Sequence, residues 1–540
     1  MFSKHCRFFS ALDTLRVHVL QYPDYCALEV SFLAILIERG NVLSRVVTPL
    51  PRDVFDRIQQ ATRYRVDGYQ FMPAYKKGNW DGYVNLFKRR QGMERTYPTG
   101  LEPLVVQALR DMGFDVTFSS AFKSSSPVKT LNALDEIKGV QLRDYQLEAV
   151  DVALDRKRGI IQLPTGTGKT MIMCELIRQL NMGNVLVVVY HSKDLLRQTS
   201  HVLRTNLRMP VGTIGDGKIA LENITVAISD SLSKEVKKGN AELASWLKDV
   251  RVVCVDEVHH IRAATVQACA NACPNAEYRI GFSGTPFRDQ GDDLEIWGAI
   301  SNIIYYRKLT WMVENGYLCP PALHRITVDA SGWIPPEEYY EEKENDLYLE
   351  EEWDDFESAE RSRKSKEFMR FQKYYIWNNE TRNRMIAKWA ITLANKGYRG
   401  LVMCTNINQG RMIADMIPDC AFVYGKDTSE VRREVLEDLE SGKYGVVVCT
   451  TIYNEGIDCP PASFMIPAQP YRSNVITIQQ QGRVLRPYPG KSKAILVDII
   501  DLGNKWFPSQ AKARLKYYQS EPAIASTMKS TQVNLMDYRG

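Results

Sequence analysis

Hydrophobic positions change their rhythm twice along this chain. Up to about residue 118 the pattern is mixed. An apolar run, CALEVSFLAILIE at 26–38, is interrupted by Glu29. At 66–90 follows VDGYQFMPAYKKGNWDGYVNLFKRR, where aromatics alternate with Gly, Asn and Lys. The first reads as a buried helix or strand, the second as short strands joined by tight turns. SSAFKSSSPVKT at 119–130 is Ser-rich with one Pro, the composition of a linker. From about 138, short β-branched runs alternate with helical-length segments. They are GIIQL at 159–163, VLVVVY at 185–190, ITVAIS at 224–229, RVVCVDE at 251–257 and YRIGFSG at 278–284. After about 395 the texture returns with LVMCT at 401–405, CAFVY at 420–424, GVVVCT at 445–450, SFMIPA at 463–468 and KAILVDII at 493–500. Runs of this kind predict strands of parallel sheets covered by helices on both faces.

The expected class is therefore α/β, with two tandem parallel-sheet domains behind a small α+β domain. The boundaries read as an N-terminal domain 1–118, a linker 119–135, a first α/β domain 136–320, a charged insertion or connector 321–390, a second α/β domain 391–520 and a C-terminal tail 521–540. Inside the connector, Glu337 to Glu360 holds 13 acidic residues and one Lys, and Arg361 to Lys373 holds six basic ones. Two readings stand: a solvated helix pair or loop, or a mobile element whose basic half meets nucleic acid.

Composition narrows this only slightly. With 540 residues, 44% of them hydrophobic and 25% charged, the chain is ordinary for a soluble protein of several domains. Lys plus Arg is 69 and Asp plus Glu is 64, so the formal charge of +5 neither demands nor excludes nucleic acid. The 11 cysteines include no CxxC pair, and Cys269 with Cys273 is a poor zinc signal; buried reduced thiols are expected. The 26–38 run is too short to span a bilayer and has no cleavage-site pattern, so neither membrane anchor nor signal peptide is expected.

The candidate chemistry sits at predicted strand ends. LPTGTGKT at 163–170 lies between a predicted strand and the predicted helix MIMCELIRQL. Pro164, Thr165, Gly166, Thr167 and Gly168 can bend a loop whose amides converge on phosphate oxygens. Lys169 adds a point charge, and the Thr170 hydroxyl can ligate magnesium. The strict phosphate-loop spacing asks for Gly at 163, where Leu163 stands. DEVHH at 256–260 ends an apolar run; Asp256 is suited to hold magnesium and Glu257 to act as general base. His259 can couple this motif to the next, while His260 has no assigned role. Upstream, Arg143 and Gln146 are nucleotide-binding candidates, the Gln146 amide being able to read an adenine edge. Ser283 and Thr285, in SGTP at 283–286, can relay the state of the outermost phosphate; a plain strand-end turn is the rival. Gly456 and Asp458, in TTIYNEGIDCP, let a loop approach nucleotide and nucleic-acid backbone. QQQGRVLRP at 479–487 offers Gln479 for coupling, with Arg483 and Arg486 on one side of a helix turn to neutralise charge developing in phosphoryl transfer.

In this order these motifs resemble superfamily 2 helicases of the DExH kind over about 140–500. The resemblance implies two RecA-like domains, with ATP and Mg2+ held by the first and an arginine finger supplied by the second. DEVHH argues against the DEAD-box RNA helicases, and the motor looks closest to the XPB and RecG-like group. The leader, at DGYQFMPAYKKGNWDGYVNLF (67–87) and YPTGL (97–101), is similar to the N-terminal domain of phage UvsW-type recombination helicases. Residues 1–45 match nothing in that pattern.

The resemblance implies a monomeric phage enzyme in the host bacterial cytoplasm that unwinds or remodels branched DNA, forks, displacement loops and RNA–DNA hybrids with 3′-to-5′ polarity. Single-strand-binding or recombination proteins would be its partners. Tyr69, Phe71, Tyr75 and Trp80 can then stack on bases, and Lys76, Lys77, Lys88, Arg89 and Arg90 can meet phosphates; a small aromatic core with solvated lysines is the rival. Three other functions compete: a translocating subunit of a restriction system, an RNA helicase, and a binding module with a dead motor. Intact Lys169, Asp256, Glu257, Arg483 and Arg486 argue against the last.

Overall fold

The computed structural model describes the chain from residue 34 to 539, apart from 91–93, 121–129, 132–135, 138–140, 191, 260, 262, 285–292, 331–332, 349–364, 451–458, 470–479 and 503–505. It also gives the backbone of the short strands His18–Val19 and Leu28–Glu29; for 263, 344–348 and 429, likewise, only the backbone is described. Two compact units emerge: Met1–Gln162 with Thr170–Tyr306, and Leu163–Lys169 with Arg307–Gly540.

The first unit opens on a five-stranded sheet of described strands, ordered Lys88–Arg89, Arg95–Pro98, Leu43–Val46, Ala34–Arg39 and Asp115–Ser120. The helices Arg52–Ala61 and Glu102–Asp111 cover it, burying Ile35, Ile37, Val54, Ile58, Val105 and Leu109 in one core. The apolar run at 26–38 thus contributes a strand over its described second half. The 66–90 stretch is less strand-like than its alternation suggests. It forms a 3-10 turn, Tyr69–Phe71, a short helix, Pro73–Lys76, and the strand Tyr83–Asn85 against Arg63–Arg65. Pro73 at the first helical position and Gly78 at φ 70 favour the short helix over a strand.

Behind this domain lies an eight-stranded sheet of described strands. Its order is Lys218–Ala220, Val211–Gly215, Ile224–Ile228, Val185–Val189, Val252–Val255, Tyr278–Ser283, Arg158–Gln162 and Ile303–Tyr306. Each pairing is parallel except the one at the Lys218–Ala220 edge. Val185–Val189 and Ile224–Ile228 are buried at every position, as strands covered on both faces must be. The five runs read as strands in this region are all strands.

The second unit holds a seven-stranded parallel sheet of described strands, ordered Cys420–Val423, Val446–Cys449, Gly400–Met403, Phe464–Pro467, Ala494–Asp501, Pro321–Asp329 and Lys529–Asn534. Two sequence boundaries need correction here. The 321–390 connector begins with a strand of this sheet, and the 521–540 tail contains its edge strand. Lys529–Asn534 pairs with Pro321–Asp329 from Lys529 opposite His324 to Asn534 opposite Asp329. The described parts of the charged insertion are also packed. Glu342 accepts from Lys373 and, at 3.0 Å, from the Tyr374 hydroxyl. Phe371 stacks on Tyr375 with centroids 3.9 Å apart, against Trp506 and Phe507.

Candidate functional site

The phosphate loop takes the geometry its glycines permit. Gly166 and Gly168 have φ 89 and φ 79, a region that L side chains avoid. The Thr167 hydroxyl donates to Pro164 O at 2.7 Å, closing the turn on itself. Lys169 is buried at the start of the helix Lys169–Leu180, its Nζ reaching Leu163 O at 3.4 Å. Thr170 follows it on the first turn. A helix N-terminus behind left-handed glycines presents amides and positive dipole to an anion.

Within the second unit the loop is packed against the segment 480–486. A Cβ on Gly482 would lie 2.3 Å from Thr165 Cβ, and one on Gly166 would lie 3.0 Å from Arg486 Cγ. Only glycines allow an approach this close. Arg483 is buried in the short helix 480–484, whereas Arg486 lies in the bend after it, so the two are not both on the helix as the spacing suggested. Leu485, between them, already ends the helix, its carbonyl accepting from Cys319 N at 2.7 Å. Loss of water pulls the Arg486 guanidinium down to about 10, so it stays charged at neutral pH.

In the first unit the acidic motif stands at the end of Val252–Val255. Asp256 N donates to Val188 O at 2.8 Å and Val258 N to Phe282 O at 3.0 Å, so neighbouring strands fix the motif from both sides. Glu257 adopts φ 42, a strained position for a residue with a side chain, and its N–H donates to Asp256 Oδ1 at 3.0 Å. His259 Nδ1 lies 3.6 Å from Glu257 Oε2 and 2.6 Å from the Ser283 hydroxyl. A polar chain thus runs from the half-buried Glu257 through the buried His259 to the buried Ser283 on the next strand. Among the described residues no group of three or more His, Cys, Asp or Glu could hold a metal alone. Thr170 and Asp256 are the residues that would hold a magnesium ion, together with phosphate oxygens of a bound nucleotide.

Gln146 is buried, and its Oε1 accepts from Arg143 N at 2.9 Å, capping its own helix Asp144–Arg156. Thr285, Gly456, Asp458 and Gln479 lie outside the described residues, as does His260.

The N-terminal candidates divide. Tyr69 and Tyr75 meet edge to face at 4.7 Å, Arg65 lies 4.1 Å over Tyr69, and Trp80 Nε1 donates to Tyr83 O at 2.7 Å. These rings are partly used among themselves. Phe71 and Met72 instead stand 52% and 40% exposed, with Lys76, Lys77, Arg89 and Arg90 exposed in the same stretch. Between 63 and 90 the chain has seven basic and two acidic residues. Arg63, 4.3 Å over Tyr83, and Arg65 add to this basic stretch, which the sequence reading began at residue 66; an alternation of Arg with Tyr was the available signal.

Cys269 and Cys273 are free and fully buried, and burial pushes the Cys273 thiol up to about 12, which suits packing better than metal binding. Among the described residues no helix is long and apolar enough to cross a membrane.

Known proteins resemble the chain in three segments. Residues 139–288 match the type III restriction enzyme res subunit family, 382–488 the helicase conserved C-terminal domain, and 43–119 the N-terminal domain of DNA helicase UvsW. The DNA 3′-5′ translocase XPB2 of Sulfurisphaera tokodaii is 28% identical over 386 residues, 67% of this chain and 82% of the relative. The ATP-dependent DNA helicase uvsW of Enterobacteria phage T4 is 23% identical over 500 residues, 88% of this chain and 92% of the relative. In structure, the ATP-dependent type ISP restriction-modification enzyme LlaBIII bound to DNA aligns at TM-score 0.50 and 15% identity, over 73% of this chain and 32% of that one. That last likeness speaks for the fold alone.

Proposed function

We propose, for a chain that belongs to superfamily 2 of the helicases, that it couples ATP hydrolysis to translocation on DNA and remodels branched DNA. The observation that carries this is the Glu257–His259–Ser283 chain at one end of the first sheet, in a molecule whose 43–119 segment matches the UvsW N-terminal domain.

The loop amides at Gly166 and Gly168 and the Lys169 ammonium bind the outer phosphates. Arg143 and Gln146, at the start of the helix ahead of the loop, are assigned to the base. Thr170 and Asp256 hold the magnesium ion that, when bound, offsets phosphate charge. Glu257 takes the proton of the attacking water. His259 and Ser283, with Thr285, Gly456, Asp458 and Gln479 assigned by resemblance, pass the hydrolysis state to the surfaces that grip nucleic acid. Arg483 and Arg486 neutralise charge developing on the transferred group. The 63–90 surface meets DNA phosphates through its lysines and arginines and stacks on bases through its exposed rings. Contacts of this kind are indifferent to sequence. The enzyme acts as a monomer in the bacterial cytoplasm, alongside single-strand-binding or recombination proteins, and moves 3′ to 5′.

The test is unwinding of forks, four-way junctions, displacement loops and RNA–DNA hybrids side by side, with ATP turnover on single-stranded DNA measured in parallel. Turnover stimulated by RNA alone would replace this reading with an RNA helicase.

A further inference from the structure

The motor motifs leave one buried polar cluster unused. It lies in the first unit, where the N-terminal domain meets the eight-stranded sheet. Asn41 sits at the tip between the strands Ala34–Arg39 and Leu43–Val46. Its Oδ1 accepts from Arg158 Nη2 at 2.5 Å and from Arg279 Nε and Nη2 at 3.1 and 2.9 Å. Its main-chain carbonyl accepts a further bond from Arg158, and its Nδ2 donates to Ala276 O at 2.8 Å. One side chain thus satisfies two arginines and a carbonyl of the neighbouring domain.

The arginines have little alternative. Arg279 is otherwise held by the carbonyls of Ala270 and Cys273, at 2.6 and 2.7 Å. Among the described residues neither arginine has a carboxylate within ion-pair distance. Burial, and for Arg158 the charge of Arg279 as well, pulls them down to about 9 and about 10. Both still carry charge at neutral pH, and a buried guanidinium deprived of an acceptor is strongly unfavourable.

The position of these arginines gives the cluster meaning. Arg158 and Arg279 are register partners at the start of two adjacent parallel strands. Four residues on, Gln162 pairs with Ser283. Gln162 leads into the phosphate loop, and Ser283 bonds His259. Asn41 therefore clamps, about 13 Å away along the strands, the two strands whose far ends carry the hydrolysis machinery. The seam beside it is close-packed: a Cβ on Gly100 would lie 1.9 Å from Trp297 O, and the Ser301 hydroxyl donates to Gly100 O at 3.0 Å. Tyr64 adds a bond to Glu295 at 2.5 Å, and Tyr64 belongs to the strand Arg63–Arg65 that opens the basic stretch proposed to meet DNA.

We propose that Asn41 is a positioning residue that joins the N-terminal domain to the ATP-hydrolysing strands, so that the junction-engaging surface and the first motor domain move as one body. The inference rests on the proposed function for its consequence, and on the geometry alone for the joining.

Full-length wild type, Asn41→Leu and Asn41→Asp separate the two. Spectroscopic labels at exposed Lys77 and Lys248 report the distance between domain and sheet. Wild type and Asn41→Asp, whose carboxylate gives up the bond to Ala276 O but accepts from both arginines with a full charge, should give one narrow distribution, and Asn41→Leu a broad one. Turnover on single-stranded DNA should stay within about twofold in both variants, because the site is remote from the chemistry. Base pairs of fork unwound per ATP should fall about tenfold in Asn41→Leu and recover in Asn41→Asp. A narrow distribution in Asn41→Leu overturns the joining. A broad one with unchanged unwinding per ATP overturns its consequence. If wild type itself unwinds no branched DNA, the functional reading fails while the label distances still decide the role of Asn41. Should Asn41→Leu not fold, Asn41→Ser, too short to reach both arginines, reads the same quantities.

Discussion

The two parallel sheets solve one packing problem and distribute charge differently. In the first, the central strands are aliphatic and the acids come after the strand: Asp256 and Glu257 follow Val252–Val255, and Glu257 carries the backbone strain at φ 42. In the second, acids lie inside the strand. Asp498 and Asp501 of Ala494–Asp501 are only 3% and 7% exposed. Asp498 accepts from Arg325 at 3.0 Å and Arg514 at 2.6 Å, and Asp501 takes a two-point grip from Arg382 at 2.8 and 2.9 Å. The first sheet thus carries its acids just past the end of a central strand, and the second uses its acids to brace its interior. Arg382 also donates to Ala468 O at 2.8 Å, at the end of the strand that leads toward the arginine motif. Under the proposed function, bracing at that point suits a domain that presents guanidinium groups to the nucleotide.

Breaking the chemistry at the strand end should have the largest effect. Glu257→Gln keeps shape and hydrogen bonding and removes the base. ATP turnover at saturating DNA should fall about 10⁴-fold, with fluorescent-nucleotide affinity unchanged. Turnover within tenfold of wild type would move the base role elsewhere. Arg486→Ala comes next, at about 10³-fold in turnover, again with nucleotide binding retained. If Arg486→Ala lowers affinity and leaves the maximal rate alone, the arginine binds ground-state phosphate instead.

How much of this was legible follows from the same contrast. Strands buried on both faces announce themselves as aliphatic runs, so VLVVV and VVVC needed no context. Pro321–Asp329 alternates buried and half-buried positions and contains His324 and Arg325, so it reads like connector. Lys529–Asn534 is polar and largely exposed; only its pairing with Pro321–Asp329 makes it a strand. The motif residues could be proposed from the sequence because phosphate chemistry restricts their types and spacing. Asn41 was not, because its two arginines lie 117 and 238 positions away and nothing local marks it.

Disturbing the brace in the second sheet should cost stability before it costs chemistry. Arg382→Met leaves the Asp501 carboxylate buried beside an apolar side chain, a loss of about 3 kcal/mol in urea unfolding. Arg382→Met with Asp501→Leu should recover most of it, because an apolar pair of similar volume replaces a desolvated ion pair. A single variant as stable as wild type would mean that water reaches Asp501, and the contrast between the sheets would narrow.

The smallest effect lies at Lys491, where the two uses of charge meet. Its ammonium donates to Pro460 O at 3.0 Å and Ala462 O at 2.5 Å, just beyond the segment that contains Gly456 and Asp458. Burial pulls it from 10.5 down to about 8. Below pH 8 the group is charged in folded and unfolded chain alike, and its burial penalty is constant. Between pH 8 and 10.5 the unfolded chain keeps a proton that the folded chain has released. The unfolded state then binds more protons, so stability rises with pH across that window. Urea unfolding of wild type from pH 8 to 10 should gain about 1 kcal/mol over Lys491→Met, whose own profile lacks this slope. Parallel profiles would mean that the ammonium keeps its water and that the carbonyls of Pro460 and Ala462 are held by the chain alone.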